Sequence, residues 1–240
     1  MALEPAGHVR LLEADPGLAR EDLTRRLARH VLAEVLTLER GRWDPRAEDL
    51  GSRPLFGLLV LDGALVRRAS VGTRAAAELL GPGDLIRPDL ECADQYAAVA
   101  QGGSWSVITP VRLARLDHDL IAGLAGVGEI LPELVARALQ RARALTLQLA
   151  ISQIPNLAAR LHVYLWHLAD RWGIRDHEAV RLTLRLPQEL LADLVAAHRA
   201  SVNAAAQELT GQGLVRCDEG YWRLFGDSPP AFGAAALRSA

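Results

Sequence analysis

The sequence predicts an α+β chain with a β-rich N-terminal region, a long connecting helix and a C-terminal winged helix-turn-helix. Three observations carry this. Short apolar runs broken by turn residues fill 56–117, apolar residues at heptad spacing fill 131–152, and two short amphipathic segments followed by a hairpin pattern fill 188–225. A length of 240 residues suits two compact domains at roughly 100 to 200 residues each. Half of the residues are hydrophobic and 23% are charged, the balance of a globular chain able to bury a core.

From Arg20 to Arg40, Leu23, Leu27, Val31, Val35 and Leu38 recur every three or four positions between arginines and glutamates, which predicts an amphipathic helix ended by Gly41, Asp44 and Pro45. The character then changes. Phe56–Leu61, Ala64–Ala69, Ala77–Leu80, Ala97–Ala100, Ser104–Ile108 and Arg112–Leu116 read as short strands. Asp62-Gly63, Gly72, Gly81-Pro82-Gly83-Asp84, Gly102-Gly103 and Thr109-Pro110 read as the turns between them. Strands at this spacing suggest a small barrel or sandwich.

After Gly128, Leu131, Val135, Ala138, Ala142, Leu145, Leu149 and Ser152 alternate four and three apart, flanked by Arg137, Arg141 and Arg143. Such spacing marks a coiled-coil seam between two copies of the chain, with a core helix inside one subunit as the alternative. Pro155 breaks this helix, and Leu157–Trp172 forms another that buries Leu161, Leu165 and Leu168 and stops at Gly173.

The strongest local signal follows. Leu182, Leu184 and Leu186 alternate with Thr183 and Arg185 as a half-buried strand, and Pro187 opens a helix over Gln188–Val195. After a break at Ala196–His198, a second helix from Arg199 to about Thr210 buries Val202, Ala205, Ala206 and Leu209. Its free N-terminal face shows Arg199, Ala200, Ser201, Asn203 and Ala204, the end from which recognition helices read base edges. Leu214–Cys217 and Tyr221–Leu224 around Asp218-Glu219-Gly220 read as a hairpin wing.

At these residues the chain resembles the Crp/Fnr superfamily, whose members join a cyclic-nucleotide-binding-like β-roll, a long dimer helix and a winged helix-turn-helix. Leu186-Pro187-Gln188-Glu189-Leu190-Leu191-Ala192-Asp193-Leu194-Val195 is similar to the family's Leu-Thr-Gln-Glu-x-Leu-Ala-Asp-Leu-Leu pattern. His198-Arg199-Ala200-Ser201-Val202-Asn203 stands where the family has Ser-Arg-Glu-Thr-Val-Ser. The resemblance implies a β-roll sensor domain over 1–128, a dimerisation helix over 129–154, a DNA-binding domain over 155–226 and a flexible tail over 227–240. It implies a cytoplasmic homodimer that reads a two-half-site operator in double-stranded DNA, with RNA polymerase contact left open. Arg199 takes the place of the base-reading arginine and Ser201 that of a threonine near phosphate. His198, Asn203 and Gln188 complete the expected DNA-binding set. Two departures thin the direct readout, because the family's glutamate is Ala200 and a second recognition-helix arginine is Ala204. His198 in place of a serine either weakens the helix cap or adds a phosphate contact near neutral pH.

On the sensor side, Gly81-Pro82-Gly83-Asp84 resembles the family's Gly-x-Gly-Asp turn, and Val60-Leu61-Asp62-Gly63 its strand-loop element. Members that bind cyclic AMP follow with Gly-Glu-Leu and a later Arg-Ser pair. Here Leu85-Ile86-Arg87-Pro88-Asp89 and Trp105-Ser106-Val107 stand instead. Cyclic AMP is therefore not the expected effector, and Arg87 is the substitute anion-binding candidate.

Other chemistry finds little footing. The net charge of −2 gives no global basic field, so DNA contact must be local, although all 27 basic residues are arginine, whose forks suit phosphate and guanine. Cys92 and Cys217 form no Cys-x-x-Cys pair. His162 and His167, five apart, share no helix face, and His118 sits between Asp117 and Asp119, so these histidines read as solvated or capping residues. No cofactor or metal is expected. Ser106 and Ser201 lack a nucleophile elbow, and no enzyme is expected. No run of 18 apolar residues occurs and no leader is visible, so neither secretion nor membrane insertion is expected. Two further readings stay open: a ligand-binding or protein-docking module with a vestigial winged helix, and a haem or metal sensor.

Overall fold

The computed structural model describes residues 5–18, 31–45, 55–72, 74–88, 101–124 and 129–229. They divide into two compact units, 1–145 and 146–240, each described by itself.

The first unit is built on an antiparallel sheet in the order β1-β2-β7-β4-β5, with β3 paired to β7 and β6 to β4. The strands are β1 (Pro5–Arg10), β2 (Leu32–Leu38), β3 (Gly41–Trp43), β4 (Leu55–Val71), β5 (Arg74–Leu80), β6 (Leu85–Ile86) and β7 (Gln101–Asp117). Helix α1 (Leu11–Ala14) follows β1, and α2 (His118–Leu124) follows β7 with Asp117 Oδ1 accepting from the Leu120 amide at 2.8 Å. Both faces of the sheet are covered. Leu59, Ala114 and Leu116 face one apolar cluster, whereas Leu58, Val60, Leu113 and Val107 face the other with Trp43 and Trp105. That explains why Leu58-Leu59-Val60 is a continuous apolar run rather than an alternation.

Three expectations are corrected here. Residues 32–38 form a strand, not the second half of a helix, while Leu23 and Leu27 lie outside the described residues. Val31, Val35 and Leu38 fit helical spacing only because β2 is buried on both faces: Ala33 packs into one cluster, Leu36 and Leu38 into the other. Pairing with β1 and β7 overrides the weak helical signal. Asp62-Gly63 and Thr109-Pro110 are not hairpin turns, since β4 and β7 each run 17 residues and pair along their length. The register shifts between Val60 and Leu65 instead mark an irregularity in which Gly63 (φ +83°) meets Pro110. A Cβ on Gly63 would stand 2.0 Å from the Pro110 carbonyl oxygen, so only glycine fits. Likewise Gly103 lies within β7 rather than in a turn. The expected run Ala97–Ala100 falls outside the described residues.

Helix α3 spans Ile130–Ser152, and the unit boundary falls within it. Within the first unit it presents two faces. Ile130 and Leu134 are fully buried in the apolar cluster, each burial being worth about 1.5 to 3 kcal/mol. Arg137 and Arg141 continue that face at i+3 and i+4, bonding Asp15 and Glu78. The other face carries Val135 and Leu139, 52% and 61% exposed.

The second unit holds α4 (Leu157–Trp172), β8 (Gly173–Asp176), β9 (Ala179–Leu182), α5 (Gln188–Leu194), α6 (Arg199–Gly211), β10 (Val215–Asp218) and β11 (Tyr221–Phe225). Asn156 caps α4 by accepting from the Ala159 amide, and Gly173 ends it, where a Cβ would stand 2.3 Å from the Ala169 carbonyl oxygen. The strands order as β10-β11-β9-β8. Trp222, Leu224, Val180 and Leu182 form the inner face of this sheet, with Leu161, Leu165 and Leu168 of α4 also buried. The strand ends at Leu182, earlier than the leucine alternation suggests, although Leu184 and Leu186 are buried as that alternation requires.

Candidate nucleic-acid interface

Pro187 stands at the N-cap of α5 rather than inside its first turn, with an extended backbone. Leu190, Leu191 and Leu194 bury the inner face of α5, and Ala196, at φ +53°, turns the chain. Helix α6 then begins at Arg199 behind His198, whose side chain makes no capping bond, in keeping with the weak cap read from the sequence. Val202, Ala205, Ala206 and Leu209 face inward, leaving Arg199, Ala200, Ser201 and Ala204 exposed. Asn203 differs from the rest of its expected set. It is half-buried, and its Oδ1 accepts from Gln188 Nε2 at 2.9 Å.

The wing closes with a two-residue turn, since Asp218 pairs with Tyr221 and both Glu219 (φ +54°) and Gly220 (φ +88°) are left-handed. Three bonds tie this turn to the approach to α5. The Leu186 amide donates to the Gly220 carbonyl at 2.8 Å, the buried Trp222 Nε1 donates to the Leu186 carbonyl at 3.0 Å, and Arg185 Nε donates to the Glu219 carbonyl at 2.8 Å. A cleft of about 250 Å³ results, lined by Arg185, Gln188, Arg199, Cys217, Glu219 and Gly220 among others. Arg199 and Gln188 therefore meet in one place, and Arg185 joins them. Sequence reading treated Arg185 only as the polar side of a strand. The available signal was its position two residues before the helix-opening proline, beside a hairpin.

Burial pushes the Cys217 thiol up, aided by Asp218 and opposed by a backbone hydrogen bond from Gly220. Two arginine forks in a cleft open to solvent can hold phosphate oxygens or a guanine edge.

A family model described as a Crp-like helix-turn-helix domain matches residues 159–225. A Mycobacterium tuberculosis (strain H37Rv) protein named "CRP-like cAMP-activated global transcriptional regulator" is 32% identical over 166 residues, covering 68% of this chain and 70% of that protein. The chain belongs to the Crp/Fnr family of transcription regulators. Its fold matches a cyclic nucleotide-binding domain containing protein of Listeria monocytogenes EGD-e at TM-score 0.65 and 14% identity, over 82% of this chain and 90% of that one. It also matches a Crp-family regulator of Thermus thermophilus at TM-score 0.57 and 22% identity, over 84% and 94%. This Crp/Fnr chain is accordingly a DNA-binding transcription regulator.

The regulator's other candidate residues fall as follows. Along α3, Leu131 packs partly against the first unit's core, whereas Val135, Ala138, Ala142, Leu145 and Leu149 are exposed to differing degrees, Leu145 by 38% and Leu149 by 63%. Leu139 lies four residues after Val135 and three before Ala142, an apolar member of that stripe which sequence reading missed. Arg137 bonds Asp15, just after α1, and Arg141 bonds Glu78 of β5, so both arginines are tied to their own unit. Burial works against the charged Arg137 guanidinium, yet its bonds to Asp15 and Glu133 outweigh it and raise its pKa.

In the first unit, Asp84 is buried and accepts from the Gly81 amide at 2.8 Å, fixing the Gly-Pro-Gly-Asp turn. Arg87 Nη1 donates to the Phe56 carbonyl at 3.2 Å. Trp105 is buried edge-on to Trp43, with centroids 5.5 Å apart, and Ser106 Oγ accepts from Arg68 Nη1 at 2.8 Å. Arg141 grips both carboxylate oxygens of Glu78, at 2.6 and 2.8 Å, and also the Leu85 carbonyl.

His162 and His167 do not behave as solvated or capping residues. Both lie inside α4, half-buried, and burial lowers the pKa of each, with Asp170 opposing at His167. His162 Nε2 accepts from the Trp166 indole at 3.0 Å. Among the described residues no group of three or more His, Cys, Asp and Glu could hold a metal ion, and no helix is long and apolar enough to cross a membrane.

Proposed function

We propose that the protein acts as a homodimer on two operator half-sites, each read by the first turn of α6, in response to an effector other than cyclic AMP. The carrying observation is the exposed Arg199 at the start of α6, in one cleft with Arg185, Gln188 and the wing turn. Arg199 supplies base readout through its planar fork. Ser201, His198 and Arg185 contact phosphates, and Gln188 and Asn203 act as a bonded pair. With Ala200 and Ala204 beside it, Arg199 carries most of the direct readout, and the remainder comes from DNA shape. The exposed apolar stripe of Val135, Leu139, Ala142, Leu145 and Leu149 supports pairing with a second copy.

The Mycobacterium tuberculosis relative is cAMP-activated by name. In this chain three features favour a different effector. Trp105 fills the core where the nucleotide-binding members carry arginine, Arg87 is engaged by the Phe56 carbonyl, and the buried Glu78 carboxylate is already bound by Arg141. The protein is further read as a non-enzymatic, cytoplasmic regulator.

The test is affinity for operator and random DNA at one salt concentration. Arg199→Ala should weaken operator binding by about tenfold to a thousandfold, at about 1 to 3 kcal/mol per guanine contact in a dimer. Random DNA should lose less. Equal losses on both would reduce Arg199 to a phosphate clamp. Calorimetry with millimolar cyclic AMP tests the effector reading, and saturable micromolar heat would overturn it.

A further inference from the structure

The outer face of the C-terminal sheet carries a row of arginines that the DNA-reading cleft does not use. Arg216 pairs directly with Arg223, and Arg223 directly with Arg181, across the neighbouring strands β10, β11 and β9. Directly paired residues point to the same side of a sheet. Trp222, Leu224, Val215, Val180 and Leu182, which alternate with them, are buried, so this row faces outward. Arg216 and Arg223 are exposed and Arg181 is half-exposed. Among the described residues, none of the three guanidinium groups makes a hydrogen bond or an ion pair.

Like charges placed directly opposite one another weaken a sheet. Among the described residues nothing pairs off this charge: Asp218 and Asp176 share the face but flank the row at opposite corners, two residues along their strands, and screen it only in part. An external polyanion would. We infer that this row binds the phosphate backbone of the DNA flanking each half-site, so that the footprint of the protein extends past the helix-turn-helix and the wing turn.

The dimensions agree with a DNA strand. Neighbouring strands lie about 4.8 Å apart, so three arginines span about 10 Å. One strand of the duplex carries a phosphate per about 3.4 Å of axis, so a row of this length, extended by the reach of the arginine side chains, meets about two to three phosphates. Position agrees as well. Two residues separate each of Arg216 and Arg223 from the wing turn, which places them about 10 Å from the tip that borders the cleft with Arg199. A backbone that leaves the cleft past the wing therefore meets the row next. An acidic protein surface would satisfy the charge but would have no reason to match this linear spacing.

This inference rests on the DNA-binding reading, and its test separates the two. The probes are two duplexes with the same operator, one of about 20 base pairs ending at the outer edges of the half-sites and one of about 40. The proteins are the full chain and a variant combining Arg181→Gln, Arg216→Gln and Arg223→Gln, with a melting temperature no lower than the unaltered protein's as the check on folding, since the substitutions remove repulsion from the sheet. Each phosphate contact contributes about 0.9 to the slope of log affinity against log salt. On the long duplex the variant's slope should fall by about 2 to 3 per subunit engaged, with little change on the short one. Lysine at the same three positions should restore it. Unchanged slopes on both duplexes overturn the inference, and unchanged slopes with lost transcription in a reconstituted reaction would assign the row to a protein instead. An equal fall on both lengths would place the row inside the half-site and overturn the flanking assignment. If the unaltered protein shows no salt-dependent retention on either duplex, the DNA-binding reading fails first.

Discussion

Gln188 and Asn203, from the first turn of α5 and the first turns of α6, are joined by an amide-to-amide hydrogen bond of 2.9 Å. One donor and one acceptor are thereby committed, so the pair can offer DNA only what remains of each amide. Gln188→Ala and Asn203→Ala should therefore not be additive. The double variant should bind operator about as weakly as the worse single one, with a coupling of about 0.5 to 1.5 kcal/mol. Additive losses in a double-mutant cycle would show two independent contacts.

The exposed stripe on α3 sets the oligomer. Leu145→Asp with Leu149→Asp places unpartnered carboxylates in the seam and should give monomers in sedimentation equilibrium. Leu139→Asp, at 61% exposure in the isolated chain, should do the same if the stripe rather than the wider helix surface is the interface. A persistent dimer in both variants would move the interface elsewhere.

Acidification should loosen the second unit. Burial lowers the pKa of His162 and His167 below the usual value near 6.5, so the unfolded chain binds protons that the folded one refuses. Stability is then complete above pH 6.5 and is lost as pH falls toward the folded values. Protonation at His162 Nε2 also removes the acceptor for the Trp166 indole. Melting temperature should decline between about pH 7 and 5, and His162→Gln combined with His167→Gln should flatten that decline. A profile unaffected by these substitutions would assign the sensitivity to other groups.

Cys217 should alkylate slowly at neutral pH, because its thiol is held above its ordinary range and the thiolate is the reacting form. Once modified at mildly alkaline pH with a bulky iodoacetamide in a Cys92→Ser background, the protein should lose operator binding, since the sulfur borders the cleft shared by Arg199 and Gln188. Cys217→Ser in the same background should bind DNA normally and resist the reagent. Full affinity after stoichiometric labelling would mean that the cleft stays clear of DNA.

The C-terminal unit was legible in the sequence because its signals are local. Leucine spacing, the proline before Gln188 and the glycine at 220 each fix a neighbouring backbone conformation, and the helix starts at 188 and 199 fall where that pattern puts them. The sheet of the first unit was less legible. Val35 and Leu38 take their conformation from partners some 75 residues away in β7, and an aspartate-glycine pair marks a bulge as readily as a hairpin. The two faces of α3 overlap in heptad spacing, so Arg137 and Arg141 could be assigned only once Asp15 and Glu78 were seen beside them. The cleft had the same difficulty, since Arg185 reaches it through a carbonyl contact with Glu219, 34 residues on.

The edge-on packing of Trp43 and Trp105 makes the N-terminal sheet its own optical reporter. Of the five tryptophans, only these two belong to the first unit, and both are almost fully shielded from water. With Trp166, Trp172 and Trp222 replaced by phenylalanine, emission would come from that pair alone. A small molecule entering the core beside them would then announce itself as a change in emission wavelength or lifetime, which permits a label-free search for the natural effector without any operator in hand.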